Sequence, residues 1–537
     1  MLFTVPYLLV FSLVSGQILT PELELPQGKV RGLRGESGQS HYYSIPYAVA
    51  RRFQYPQPPL KWKGTMYAVN QLRRCPQMLS ILIGREDCLY LDVHVPEKGK
   101  KMPVIVYFHG GAFWHGGKDV YHPLLLNSNG VIVVAVNYRL GVLGFLCTND
   151  VSNIGLRDQV AALKWVQQNI GAFGGDPDNV TICGQSAGGS LASMHLLSKT
   201  SSGLFHKAIL MSGTAFSTWA FNLESDRTTK EDANKIATAI TENDIYNVLE
   251  ETPLETLMRA TMGSSADPRY FRYTPCIDVN NTEPFFTDTP TNIIKSGNYN
   301  KVPVMIGYTD LEGMFFYAII RSVTKDLNDN FVDHLPSVFS TPTKKFKRKI
   351  ADKIRKHYFG NKTIDYNKSK LNLIRFYSDW IAYGATDAYS KLLAKASHSP
   401  VYNYVFSYIG DRNFGKDLSG VNLNKSTHSD DVFYMFKPAG INIRLSDRDA
   451  IFAYKYNTMI ENFVKYGNPT PKITRYHPVS WPAATTNSSN VMVLDETFGV
   501  LEEARPQHRG GFFLEMLCDY GERGYVPCDE YTKGIKL

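Results

Sequence analysis

The stretch that decides the fold is Val180–Leu197, VTICGQSAGGSLASMHLL. Val180–Cys183 is a short apolar run rich in β-branched residues, Ser190–Leu197 reads as a helix, and Gly184-Gln185-Ser186-Ala187-Gly188 joins them. A strand that turns this abruptly into a helix crowds its own backbone. Only small residues then fit around the central serine, and the hydroxyl is lifted clear of the main chain. Five such residues also match by chance in many proteins, and an ordinary glycine-rich turn is the bland alternative. The flanking strand and helix, both in place, favour a nucleophile elbow.

Working outward, β-rich runs bounded by Gly, Asn or Asp recur at Met102–Phe108, Val131–Asn137 and Ala208–Met211. Leu156–Ile170 between them has helical periodicity at Val160, Leu163, Trp165, Val166 and Ile170. Two later runs, Val302–Gly307 and Val401–Tyr408, continue the pattern across a mostly helical insertion. Strands alternating with helices imply parallel crossovers and an α/β sheet. In such a sheet the working groups gather at the carboxyl ends of the strands.

Those ends carry a consistent set. His109-Gly110-Gly111-Ala112 follows Met102–Phe108, and its glycines let backbone amides turn toward an oxyanion. Gly110, Gly111 and Ala187 are the expected donors. A serine needs a histidine to take its proton and a carboxylate to fix that histidine's tautomer. In this architecture the chain order is serine, acid, histidine. Glu312 follows Val302–Gly307, and His428 follows Val401–Tyr408. With 13 histidines and 50 acidic residues in the chain, order alone is weak evidence.

Further motifs identify a family. Ser44-Ile45-Pro46-Tyr47-Ala48, Glu86-Asp87-Cys88-Leu89-Tyr90-Leu91, Asn137-Tyr138-Arg139-Leu140-Gly141, Asp158-Gln159, Trp165-Val166 and Phe173-Gly174-Gly175-Asp176-Pro177 occur in order with the elbow. Over nearly all its mature length the chain resembles the type-B carboxylesterases and cholinesterases, which have the α/β-hydrolase fold. The resemblance implies a large, mostly parallel central sheet flanked by helices. It implies Glu312 as the acid, His428 as the base and a Cys75–Cys88 bridge, with no metal or organic cofactor. In detail the motifs are closest to insect esterases, including juvenile hormone esterases. The chain departs from the hormone esterases at Lys425, where a glycine is expected, and at Gly189, where alanine is usual. It departs from the cholinesterases at neutral Gln185, where they carry glutamate, and in having no tryptophan between Cys75 and Cys88 to hold a quaternary ammonium. The family also includes non-catalytic adhesion proteins, which have usually lost a triad residue.

Composition bounds the rest. The 537 residues are 43% hydrophobic, enough for a large core, and no linker or repeat divides residues 17–537, which read as one domain. Residues 1–16 are apolar and end in Val14-Ser15-Gly16, as a secretory signal peptide does, and no segment is long and apolar enough to span a membrane. The expected location is extracellular. There Cys75 and Cys88 should pair, and Cys518 and Cys528 form a second close pair. Cys147, Cys183 and Cys276 remain, with at least one thiol free or intermolecular and Cys183 read as a buried small hydrophobe. Candidate glycosylation sites are Asn280, Asn361, Asn367, Asn424 and Asn487, whereas Asn179 enters a buried strand. A net charge of +8 implies little by itself. The eight Lys/Arg of Lys344–Lys356, with Phe346, Ile350 and Ile354 at helical spacing, read as the solvated face of a surface helix, and no nucleic-acid module accompanies them. The expected chemistry is hydrolysis of a neutral, lipophilic carboxylic ester. The aromatic pair Phe113-Trp114 points the same way unless it is core packing, and His115 beside it reads as structural.

Overall fold

The computed structural model describes residues 18–35, 38–97, 99–123, 126, 130–148, 151–221, 245–261, 271–279, 281–339, 343–438, 445–502 and 510–531. The expected leader 1–16 and the sequon at Asn280 lie outside the described residues. An eleven-stranded sheet forms the centre. In chain order its strands are β1 (Leu33–Arg34), β2 (Ser40–Pro46), β3 (Tyr90–Val95), β4 (Met102–Phe108), β5 (Ile132–Val136) and β6 (Gly175–Gln185). They continue as β7 (Lys207–Met211), β8 (Val304–Thr309), β9 (Val401–Phe406), β10 (Val491–Leu494) and β11 (Gly499–Leu501). Their spatial order is β11-β10-β9-β8-β7-β6-β4-β5-β3-β2-β1. Every neighbouring pair from β10 to β5 is parallel. The two margins are antiparallel.

The central strands read as unbroken apolar runs because both faces of the sheet are covered. Val104, Val106 and Phe108 point into one core, shared with Ile182 and Val304, while Ile105 and Tyr107 point into another with Cys183 and Met305. Helices α1 (Ile154–Asn169) and α2 (Ala187–Leu197) follow the crossover pattern. The insertion between β8 and β9 contains α3 (Lys344–Phe359), α4 (Lys370–Ile381) and α5 (Tyr383–Ala396). Ile350, Ala351, Ile354 and Tyr358 of α3 are buried and its basic face is outside, while Phe346 is 40% exposed.

Several of the recurring motifs prove to be scaffold. Arg139 grips Asp158 through two parallel hydrogen bonds, Nη2 to Oδ1 at 2.6 Å and Nε to Oδ2 at 2.8 Å, with both groups buried. Removing one partner of such a pair strands a buried charge at a cost of about 3–5 kcal/mol. Tyr47 donates to the Asn137 carbonyl at 2.7 Å, and the Asn137 side chain in turn donates to the Cys88 carbonyl. Disulfides join Cys75–Cys88 and Cys518–Cys528, and a third joins Cys147 to Cys276. Cys183 is the free thiol, buried in β6. The open set of three cysteines thus resolves into one long-range bridge and one core residue.

Strand order sets the position of the chemistry. β4 lies between β5 and β6, so successive connections leave it in opposite directions and open a crevice at its carboxyl end. In the β4–β6 ladder Phe108 is opposite Gly184, so the His109–Gly111 turn and the Gln185–Ser186 turn emerge side by side.

Candidate active site

Ser186 sits at φ 58° and ψ −124°, between β6 and α2. A positive φ costs a non-glycine residue about 1–3 kcal/mol and persists only when its surroundings enforce it. Here the Ser186 amide donates to the Met211 carbonyl at 2.8 Å, and the Ser190 amide donates to the Ser186 carbonyl at 3.0 Å. The flanking glycines are sterically required. A Cβ on Gly184 would lie 2.2 Å from the Gly188 carbonyl oxygen, and one on Gly188 would lie 2.0 Å from that of Phe108. Ser186 stays partly exposed while Gln185 and Ala187 are buried.

The glycine turn after β4 lies against this elbow. A Cβ on Gly110 would lie 2.6 Å from the Gln185 carbonyl oxygen and 3.2 Å from Ser186 Cβ. The amides of Trp114 and His115 both donate to the Gly111 carbonyl, which curls the turn, and the Tyr138 hydroxyl holds the His109 carbonyl at 2.5 Å. Among the described residues, no backbone hydrogen bond is donated by the amides of Gly110, Gly111 or Ala187. Phe113 and Trp114 are fully buried, Phe113 against Phe145 and Trp219 and Trp114 against Tyr273. They are core packing and supply no argument about substrate.

Glu312 and His428 meet through two loops. His428 Nδ1 is 2.5 Å from Glu312 Oε2, with both side chains buried. Glu312 Oε1 accepts from the Ser212 hydroxyl at 2.6 Å and from the Thr309 amide at 2.7 Å. The Thr427 hydroxyl, one residue before the histidine, reaches back to the Leu311 carbonyl at 2.9 Å and accepts from the Phe315 amide at 2.8 Å. Lys425 pairs with Asp310 at 2.5 Å, so the lysine that replaces an expected glycine ties the histidine loop to the acid loop. On its other side His428 Nε2 is 3.0 Å from Gln185 Nε2. An amide N–H aimed at Nε2 requires a lone pair there, which places the ring proton on Nδ1, toward Glu312. Among the described residues Ser186 Oγ makes no hydrogen bond to His428. Gln185, which precedes Ser186 in the elbow, joins the elbow to His428. Phe315 and Phe316, both partly exposed, flank the imidazole at ring distances of 5.8 and 5.5 Å.

Two carboxylates follow the histidine. Asp430 accepts from the amides of Thr427 and Gly415 at 2.8 Å each, and from the Asn413 side chain, and so shapes the loop. Asp431 is buried with one partner, the Tyr404 hydroxyl at 3.1 Å; burial, reinforced by the nearby Glu312 charge, pushes its carboxyl up to about 7. A folded-state value above the ordinary ~3.9 favours the protonated form in the fold. That contribution is complete below about 4 and is lost as pH rises through 7. Asp431→Asn, which keeps an acceptor for Tyr404, is expected to gain stability relative to the parent as pH rises from 4.5 to 7.5. Paired thermal melts at the two values check it, and a pH-independent difference would contradict the shift.

Sequence reasoning did not find Ser212, Thr427 or the Gln185–His428 contact. Serine, threonine and glutamine are too common for spacing to single them out.

The family model of the Carboxylesterase family matches residues 19–509. Esterase E4 of Myzus persicae is 33% identical over 530 residues, covering 92% of this chain and 94% of that protein. Juvenile hormone esterase of Tribolium castaneum is 32% identical over 491 residues, covering 83% and 82%. The crystal structure of juvenile hormone esterase from Manduca sexta, with OTFP covalently attached, superposes with a TM-score of 0.82 at 27% identity, covering 93% of this chain and 99% of that one. The motif series, the switch-point geometry and these matches converge: the chain belongs to the carboxylesterase family, is a carboxylic ester hydrolase and has the α/β-hydrolase fold.

Proposed function

We propose that the chain is a serine esterase of neutral, lipophilic esters, in which Ser186 attacks the carbonyl, His428 relays the proton and Glu312 orients and stabilises the imidazolium. The observation that carries this reading is the Glu312–His428 pair at 2.5 Å beside a serine held at φ 58°. The amides of Gly110, Gly111 and Ala187 receive the oxyanion, each donor worth about 3–4 kcal/mol to the transition state by the cost of deleting one. Catalytic hydrogen bonds often tighten only when substrate binds. In the reactive state His428 Nε2 leaves the Gln185 amide and accepts the Ser186 proton. Acyl transfer to serine releases the alcohol, and water, deprotonated by His428, then releases the acid. This cycle needs no cofactor. The covalent adduct in the Manduca esterase is consistent with a nucleophile in that relative.

The substrate class rests on what surrounds the imidazole: two phenylalanines and an uncharged amide. A quaternary ammonium needs an aromatic face, and usually a carboxylate, to replace its lost hydration, with cation–π contact worth ~2 kcal/mol when desolvated. Trp114 is buried in the core and offers no such face, and Phe315 and Phe316, the aromatic faces beside the imidazole, are accompanied there by the neutral amide of Gln185 where the cholinesterases carry glutamate. Acetylcholine and its uncharged carbon isostere are expected to differ in kcat/KM by roughly thirty- to a thousandfold in favour of the isostere. A side-by-side assay tests this, and equal or better turnover of the choline ester overturns the substrate class.

A narrower reading, juvenile hormone esterase, draws on the two relatives of that name. Gly189 and Lys425 set this chain apart from the hormone-esterase pattern. The non-catalytic adhesion reading is disfavoured by the intact serine, acid and histidine. Secretion after removal of residues 1–16 is supported by three disulfides, and glycosylation by the exposure of Asn361, Asn367, Asn424 and Asn487. Among the described residues no helix is long and apolar enough to cross a membrane. Residues 17–537 would then act as one catalytic unit.

A further inference from the structure

At the antiparallel margin of the sheet three histidines converge. His41 of β2 and His94 of β3 are directly opposite in the ladder, so their side chains share a face, and their Nδ1 atoms are 3.0 Å apart. His122 approaches from the two-residue strand Tyr121–His122, which pairs with Lys437–Pro438. The three rings form a near-equilateral triangle with centroid distances of 5.0, 5.2 and 5.2 Å. One ring nitrogen from each lies within 4.8 Å of the others. His41 and His94 are buried, and half-buried His122 opens the group toward solvent.

We propose that His41, His94 and His122 form a site for one borderline divalent cation of the Zn²⁺ type, with water in the fourth position. Ligands on a tetrahedral Zn²⁺ at ~2.0–2.1 Å stand about 3.3 Å apart. The His41–His94 pair is already near that spacing, and His122 has at most ~1.5 Å to close. Neutral imidazole is the ligand form, and burial lowers the proton affinity of all three rings, His41 to about 4, with His122 adding to the effect on His41 and His94. Binding an ion there requires the tautomers whose lone pairs face inward.

The surrounding charges are balanced on one side and opposed on the other. Lys118, which disfavours a charged His94, is paired at 2.8 Å with Asp92, and both are buried. Lys437 stands unfavourably beside His122. The Tyr43 ring packs on His41 and His94 and limits water on that side. The bland alternative is a hydrogen-bonded histidine pair in the core. It accounts for His41 and His94 and leaves the convergence of His122, from a separate strand, without a role. A bound ion would clamp Tyr121–His122 to the sheet margin. Among the described residues no hydrogen bond or ring contact joins the three histidines to Ser186, Glu312 or His428, so esterase turnover is not expected to depend on the cluster.

The test uses the full, untagged chain after EDTA treatment. With micromolar Zn²⁺ it should retain one Zn per chain through gel filtration, and its Tm should rise by about 2–5 °C at saturating ion. His122→Gln, the most solvent-near change, should abolish both effects while leaving ester hydrolysis unchanged. His41→Asn serves where His122→Gln fails to fold. Co²⁺ should give a visible d–d spectrum in the parent and none in the variant. Less than a tenth of an equivalent of Zn²⁺ retained by the parent, or equal retention by the variants, would overturn the proposal.

Discussion

Replacing Ser186 with alanine is expected to leave a folded protein with at least about 10⁴-fold lower kcat for neutral esters. The fold should survive because the elbow is enforced by its neighbours. Gly184, Gly188 and the Ser186 amide's bond to Met211 are untouched by removal of one hydroxyl oxygen. Alanine also relieves no backbone strain, since it too has a Cβ at positive φ. Activity should fall by the full effect of the unit, because in the proposed mechanism His428 and Glu312 act through Ser186 and members of such a unit do not contribute additively. Normal expression with more than a few per cent of parental turnover would contradict the assignment.

The second large effect is expected at Glu312→Gln, for a reason the geometry makes specific. Glu312 Oε1 receives two donors, the Ser212 hydroxyl and the Thr309 amide. A glutamine in the same place must put its carbonyl oxygen there, because its NH₂ would face two N–H or O–H groups. The NH₂ is then turned to His428 Nδ1, which can accept it only as a lone pair. The ring proton moves to Nε2, and the imidazole can no longer take a proton from Ser186. A loss of about 10³- to 10⁴-fold in kcat/KM is expected, with stability little changed, when Ser212 remains. Glu312→Gln within tenfold of the parent, measured on a neutral aryl acetate, would show that Glu312 does not set the tautomer.

How much of this can be read without coordinates depends on the kind of residue. The central strands are legible because burial on both faces makes them continuous apolar runs between turn residues, and the helices because apolar positions repeat every three or four residues. Their ends are less so: the Val180–Cys183 run proves to be part of Gly175–Gln185, and Val401–Tyr408 ends at Phe406. The margin strands β1 and β11 are short and carry no such run, and the apolar run of β10, Val491–Leu494, is only four residues long. Ser186, Glu312 and His428 stand out in the sequence because strand-end position and motif coincide, and the structure places His428 Nδ1 2.5 Å from Glu312 Oε2. Cys147–Cys276 is not, because 129 residues separate its halves and no local spacing points across them. The same holds for His41, His94 and His122, which only the strand pairing brings together. Phe113-Trp114 shows the opposite failure: aromatic residues beside a glycine turn look like a binding wall, yet both are inside.

The account stands on Ser186 as the group that becomes acylated. Treatment with a fluorophosphonate until hydrolysis stops, followed by peptide mass spectrometry, reads this directly. The predicted result is one adduct per chain on Ser186, in step with lost activity, and none in Ser186→Ala. Complete inactivation with Ser186 unmodified, or an adduct on another residue that tracks the loss, would contradict it.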